Sequence, residues 1–250
     1  MAHHGTRTGT YKPTVLLYLI TGLIFIGLSR PIKGFRLQQA TLYDLADPHE
    51  IHFHLHIRQE SIDDQWLPTH IRYFRPDGHL STEEWLEFES GEFRQYRYRR
   101  HNTGSDVKVT RVGEQLFYQT QINGQIKEKW QPYRAPFLVS PLLLPYIQSQ
   151  FDQLSSGQAH AIHLAVPGMR RAFVVILQKD LKLSNDDQCV IKVRPKNWLL
   201  SVFVDDFQFT LSVDGRHVKE MTGQALPVLE KNGSFVPVIG RFILDSATLN

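Results

Sequence analysis

Residues 84–100 read EWLEFESGEFRQYRYRR. Two runs of alternating polar and apolar side chains flank Ser90-Gly91, the pattern of a β-hairpin closed by a two-residue turn. With that turn Phe88 faces Phe93, Glu87 faces Arg94, Trp85 faces Tyr96 and Glu84 faces Arg97. Leu86, Phe88 and Phe93 then share one face, while acid alternates with base on the other. A chain of such hairpins makes an antiparallel sheet.

The pattern repeats in both directions. Upstream, EIHFHLHIRQ (50–59) puts Ile51, Phe53, Leu55 and Ile57 on one face and His52, His54 and His56 on the other. THIRYF (69–74) and a Pro-Asp-Gly turn at 76–78 lead into the opening hairpin. Downstream, turns are predicted at Gly113 and at Asn123-Gly124, the latter a strong type I′ signal. Strands resume at 158–166, 170–178 and 188–195, a hairpin turns at Asp214-Gly215, and a last strand covers 236–244. Between the two series lies SPLLLPYIQSQFDQLSSG (140–157). Its spacing predicts a helix over Pro141–Leu154, with Ser140 as N-cap, Pro141 at the first helical position and Gly157 at the end.

At the N-terminus, VLLYLITGLIFIGL (15–28) is an uninterrupted apolar run between Arg7 and Lys12 on one side and Arg30, Lys33 and Arg36 on the other. A spanning helix takes about 20 apolar residues, so this shorter run reads as a signal-peptide core or a membrane anchor. Gly27 and Ser29 offer small residues for cleavage, whereas Pro31 and the basic residues behind it argue for retention. No cysteine follows the run, so it carries no acylation site. The organisation is a signal peptide or anchor over 1–36 and one antiparallel-β envelope domain over 37–250. The fold class is mainly β: a long curved antiparallel sheet (a half-barrel) with one central helix, preceded by an N-terminal hydrophobic helix.

Of the 250 residues, 42% are hydrophobic and 21% charged, ordinary values that exclude long disorder. The formal net charge of +3 is too small a field to imply nucleic acid. The single cysteine, Cys189, excludes an intrachain disulfide and any cysteine-rich metal centre, and reads as a small buried strand residue.

Three constellations carry possible chemistry. His52 and His54 sit on one strand face at a spacing that lets two histidines share a metal ion. Three in a row spread over about 13 Å, too far for all to reach one ion, so a polar sheet face explains the set without metal. The expected site therefore has no metal, with His52 and His54 as the alternative ligand pair. The basic-aromatic strand 93–101 could track a polyanion, but the acidic strand beside it cancels the charge, and no nucleic-acid partner is expected. No Gly-x-Ser-x-Gly, His-Glu-x-x-His or phosphate loop occurs, and the adjacent carboxylates Asp186-Asp187 and Asp205-Asp206 point to opposite faces. Nothing in the sequence argues for an enzyme or a cofactor.

The helix SPLLLPYIQSQFDQLSSG followed at once by a strand, and the late block IKVRPKNWLLSVFVDDFQFTLSVDGRHVKEMTG (191–223), resemble the lipoprotein-localisation carriers (LolA/LolB-like half-barrels) in order of elements. They are more similar still to uncharacterised bacterial periplasmic proteins of that half-barrel type. The resemblance covers the chain from residue 37 onward and implies a curved sheet around a helical plug, with an apolar concavity for acyl chains. The lipobox of the outer-membrane receptor branch is missing, and no functional residue transfers by position.

Leu142, Leu143, Leu144, Ile147 and Phe151 make the helix more apolar than a surface helix requires. The expected ligand-lining set is Leu143, Ile147 and Phe151 with Trp198 and Phe203 from the late apolar segment. The expected function is non-enzymatic binding of a lipidic or other hydrophobic ligand between sheet and helix. The expected location is periplasmic, or anchored to the inner membrane and facing the periplasm. The alternative is a structural or assembly factor that binds protein partners at a sheet edge.

Overall fold

The computed structural model describes residues 34–197 and 207–245. The expected N-terminal hydrophobic helix lies outside the described residues, as do Trp198 and Phe203. The first strands succeed one another as hairpins: β1 (Phe35–Asp44), β2 (Ile51–Ile62), β3 (Gln65–Phe74), β4 (Leu80–Glu89) and β5 (Glu92–Arg100). β6 (Ser105–Val112), β7 (Gln115–Ile122) and β8 (Gln125–Pro132) continue them. After the short strand β9 (Phe137–Leu138) and the helical stretch come β10 (His160–Val166), β11 (Arg171–Lys179) and β12 (Cys189–Pro195). β13 (Phe207–Leu211), β14 (Val218–Lys231) and β15 (Ser234–Leu244) complete the set.

All of them form one sheet of 15 strands, running from β8 back to β1 and then from β15 back to β9. The pairings are antiparallel except that of β9 with β10. The two halves of the chain meet where β1 pairs with β15, leaving β8 and β9 as the edges.

Turn chemistry sets these registers. Ser90-Gly91 and Asn123-Gly124 both have positive φ at the two central positions, the geometry that matches strand twist. Asp63-Asp64 and Asn232-Gly233 do the same between β2 and β3 and between β14 and β15, two hairpins that a reading of period alone passes over. Gly91 is required twice. Its φ is +79°, and an added Cβ would lie 1.6 Å from the Asp63 carboxylate.

The opening hairpin departs from its expected register. Phe88 pairs with Phe93, but a bulge follows, so Glu87 faces Gln95, Leu86 faces Tyr96, Trp85 faces Arg97 and Glu84 faces Tyr98. One extra residue flips the side chains beyond it to the opposite face. Without the bulge, Gln95 and Arg97 would share the inner face with Phe93. With it, Tyr96 and Tyr98 are buried there and the arginines turn outward. The expected Glu87–Arg94 and Glu84–Arg97 pairs do not form. Arg97 and Arg99 both engage Asp106, Arg94 engages Glu89, and Glu84 is buried.

The helix is also modified. Ser140–Leu142 form a 3₁₀ turn in which Ser140 makes no side-chain cap, followed by α1 (Leu143–Ser149) and α2 (Phe151–Ser155). The break falls at Gln150, where φ is −107°. Just before it, the Ser149 hydroxyl donates to the Tyr146 carbonyl at 2.9 Å, a back-bond that bends helices.

The sheet curls until its wings face each other. One core holds Leu86, Tyr96, Val109 and Tyr118 from β4–β7 together with Leu143, Ile147 and Leu154 from the helices. Ile162, Leu177, Ile191 and Phe209 from β10–β13 complete that core. A second, smaller core joins Leu42, Phe53, Leu55 and Ile71 to Ala225 and Val238. Side chains staple the seam where no backbone ladder closes it. Gln131 of β8 accepts from the Ala172 amide at 2.9 Å and donates to the Ala172 carbonyl at 3.4 Å. Arg100 and Asn102 donate to the carbonyls of Leu226 and Val228 on β14.

Candidate functional site

Under α1 the curl leaves a cavity of about 140 Å³. Leu143 and Leu144 form its roof, Leu55, Ile57 and Ile71 one wall, and Phe209, Met221, Leu226 and Phe242 the other. Local pattern explains each wall. The inward residues of β2 and β3 are the apolar half of a period-two alternation, and α1 turns its apolar stripe down onto them. An engineered apolar cavity of about 150 Å³ holds benzene, so the space takes a group of that size. A longer chain fits only if α1 moves off the sheet.

Polar side chains interrupt the apolar lining at several places, Gln38 on β1 and Thr222 and Gln224 on β14 among them. Trp66 and Gln148 stand at the solvent-facing side, where the Arg36 guanidinium lies 4.8 Å over the Trp66 ring and donates to Gln59 at 2.6 Å. In the wall sits Glu84, 1% exposed. Its two carboxylate oxygens accept hydrogen bonds from the hydroxyls of Tyr73 and Tyr96, each at 2.5 Å. Burial pushes the Glu84 carboxyl above the usual carboxylate range, and the two phenols together with the charge of Arg100 pull it part of the way back. Burial first, and then the Glu84 charge, push both phenols well above the ordinary tyrosine value.

The expected ligand-lining residues divide. Leu143 lines the cavity. Ile147 and Phe151 are buried in the main core and do not line it. The lining residues that the reading of the helix missed come from the strands, chiefly Leu55, Ile57, Ile71, Tyr73 and Glu84. Period two alone places Glu84 on the face of Leu86 and Phe88, so the signal for its inward position was in the sequence.

The histidine strand is less uniform than expected. His52 does not lie on a solvated face but is buried beneath the β1–β2 loop, with Nε2 3.1 Å from Asp44 and Nδ1 3.6 Å from Glu50. His54 is half-buried, and the His56 ring packs 4.9 Å from Phe74. Burial, then Arg72 and His54, hold the His56 imidazole below its ordinary range. Among the described residues no group of three histidine, cysteine or acidic side chains is placed to hold a metal ion.

The outer face is charged. Arg72, Glu83, Arg99 and Asp106 pair in register across β3–β6, where a lipid-facing barrel would carry an apolar band. At the sheet edge β8 is exposed along most of its length. Its Lys127 and Lys129 pair with Thr120 and Tyr118 and so share their inward face, a device that discourages further pairing.

Fold and cavity together define a curled antiparallel sheet plugged by a short helix. No protein-family model matches the chain, and no curated protein matches it. Among solved structures, a porin-like protein from Bacteroides uniformis ATCC 8492 aligns with 7% identity and a TM-score of 0.24, over 84% of this chain and 97% of that one. Similarity that low carries no weight for fold or function, and the architecture rests on the strand pairing itself.

Proposed function

We propose that this chain is a non-enzymatic binding protein of the bacterial envelope that holds a hydrophobic ligand between α1 and the sheet. The cavity under Leu143 and Leu144 is the observation that carries the reading. A well-packed interior has few voids larger than a water molecule, and this one is apolar, faces solvent at one side and sits beneath a helix whose ends are broken by 3₁₀ geometry and by Gln150. The resemblance to the half-barrel lipid carriers points the same way. The apolar run 15–28 with its basic flanks supports export, so the β domain works on the periplasmic side, released or tethered to the inner membrane.

Mass spectrometry of protein extracted under mild conditions tests the ligand claim. A hydrophobic molecule should co-purify, and its amount should fall in a variant whose cavity is filled; no such molecule in either sample refutes the claim. A reporter fused after Asn250 should be active only in an oxidising, extracytoplasmic compartment.

Partner binding at the sheet edge is the second reading. β8 is the observation behind it, because Ile126 and Trp130 are 60% and 56% exposed on an edge strand. An incoming strand would have to accommodate the inward charges of Lys127 and Lys129.

A further inference from the structure

The cavity wall is apolar where Glu84 enters it, and the hydrogen-bond count at that place is one-sided. A phenol has one proton to donate. Tyr73 spends its proton on one carboxylate oxygen of Glu84 and Tyr96 spends its proton on the other. With the Glu84 carboxyl ionised, what Glu84 and Tyr73 still present to the cavity is lone pairs alone. An ionised carboxylate has about four acceptor sites, and two of them are taken.

The charge is one-sided as well. Arg100 is the cation that acts on Glu84 among the described residues, and its Nε is committed to the Leu226 carbonyl at 2.8 Å while its guanidinium lies 5.3 Å over the Tyr98 ring. No ion pair between Arg100 and Glu84 forms. A buried carboxylate with no ion-pair partner is costly to keep charged. An incoming cation with protons to donate would fill the open acceptor sites and supply the missing charge.

We infer that Glu84, oriented by Tyr73 and Tyr96, receives the ammonium head of an alkylamine whose apolar part lies against Leu143, Ile57 and Ile71. This assignment rests on the reading of the cavity as a ligand site and names the class of ligand. A hydroxyl head satisfies one acceptor and brings no charge. A carboxylate head meets acceptors and like charge, and a bare hydrocarbon leaves the acceptors unfilled. The size of the space limits the apolar part to about six carbons. Arg36 and Gln59 are bonded to each other, and the remaining polar lining from Gln38, Thr222 and Gln224 is neutral, so Glu84 is the one acidic side chain among the described residues that lines the cavity.

The test is a methyl NMR titration of the full chain in zwitterionic nanodiscs, following Leu143, Ile57 and Ile71, with hexylamine, hexanol and hexanoate as probes. Hexylamine should bind at least tenfold more tightly than hexanoate, with hexanol between them. Glu84→Gln should reduce that preference below threefold while hexanol binding persists. If hexanoate binds as well as hexylamine, the role of Glu84 is overturned and the cavity remains a ligand site. If none of the three shifts these methyls, the ligand-site reading itself falls. The ranking in the unsubstituted protein decides the matter even if Glu84→Gln does not fold.

Discussion

Ala225 lines the cavity from β14 and is 5% exposed, so Ala225→Leu should fill the space and separate a ligand site from an ordinary packing fault. Leucine adds three carbons. Each buried methylene contributes about 0.8 kcal/mol, giving about 2.4 kcal/mol if all three settle without strain. Accommodating a branched side chain beside Leu226 and Phe242 costs about 1 kcal/mol, leaving a net gain of about 1–2 kcal/mol. In a domain of this size 1 kcal/mol moves the midpoint by about 2–4 °C, so thermal unfolding should rise by about 3–6 °C. The same variant should lose the co-purifying hydrophobic molecule and all response to hexanol. Calorimetric unfolding and the probe titration read the two effects separately. A variant destabilised by more than 1 kcal/mol would show that no space is free beside Ala225. A stabilised variant that still binds probe would show that the ligand sits elsewhere.

Two further outcomes concern Glu84 and a pair of turn glycines. Glu84 has its folded pKa raised by burial, so its contribution is fully present below the unfolded value near 4.3 and is lost as pH rises through the folded value. Denaturant unfolding from pH 4 to 8 should therefore fall less steeply for Glu84→Gln than for the parent, and parallel curves would contradict the raised pKa. Gly91→Ala combines strain at positive φ with a collision against Asp63, whereas Gly78 has a φ of +84° and nothing within 4 Å of an added Cβ. Gly78→Ala should cost about 1 kcal/mol from backbone strain alone and Gly91→Ala distinctly more, measured by urea midpoints; equal losses would remove the Asp63 contact from the explanation.

Much of the architecture was readable in local sequence. Alternation at period two in 50–59 and 84–100, the Asn123-Gly124 turn and the apolar spacing of 143–154 depend on residues a few positions apart, and the strands, hairpins and helix they predict are present. The fold class followed from these because short turns leave antiparallel neighbours as the economical pairing. Local pattern carried the bulge at Glu87/Phe88 only as a shift of apolar parity between Phe93 and Tyr96, which a two-residue turn by itself does not resolve into a register. Only burial of Tyr96 and Tyr98 against the opposite wing selects the bulged one. The same holds for the cavity. Its walls join Ile57 and Ile71 to Leu226 and Phe242, residues brought together by curling the sheet around α1. The identity of each wall residue as apolar and inward was written in its own strand, whereas the gap between the walls is a property of how two distant surfaces fail to meet, which no stretch of sequence contains. Glu84 shows both sides of this: its parity placed it on the inner face, and only the tertiary structure set Tyr73 and Tyr96 at its two oxygens and brought it into the cavity wall.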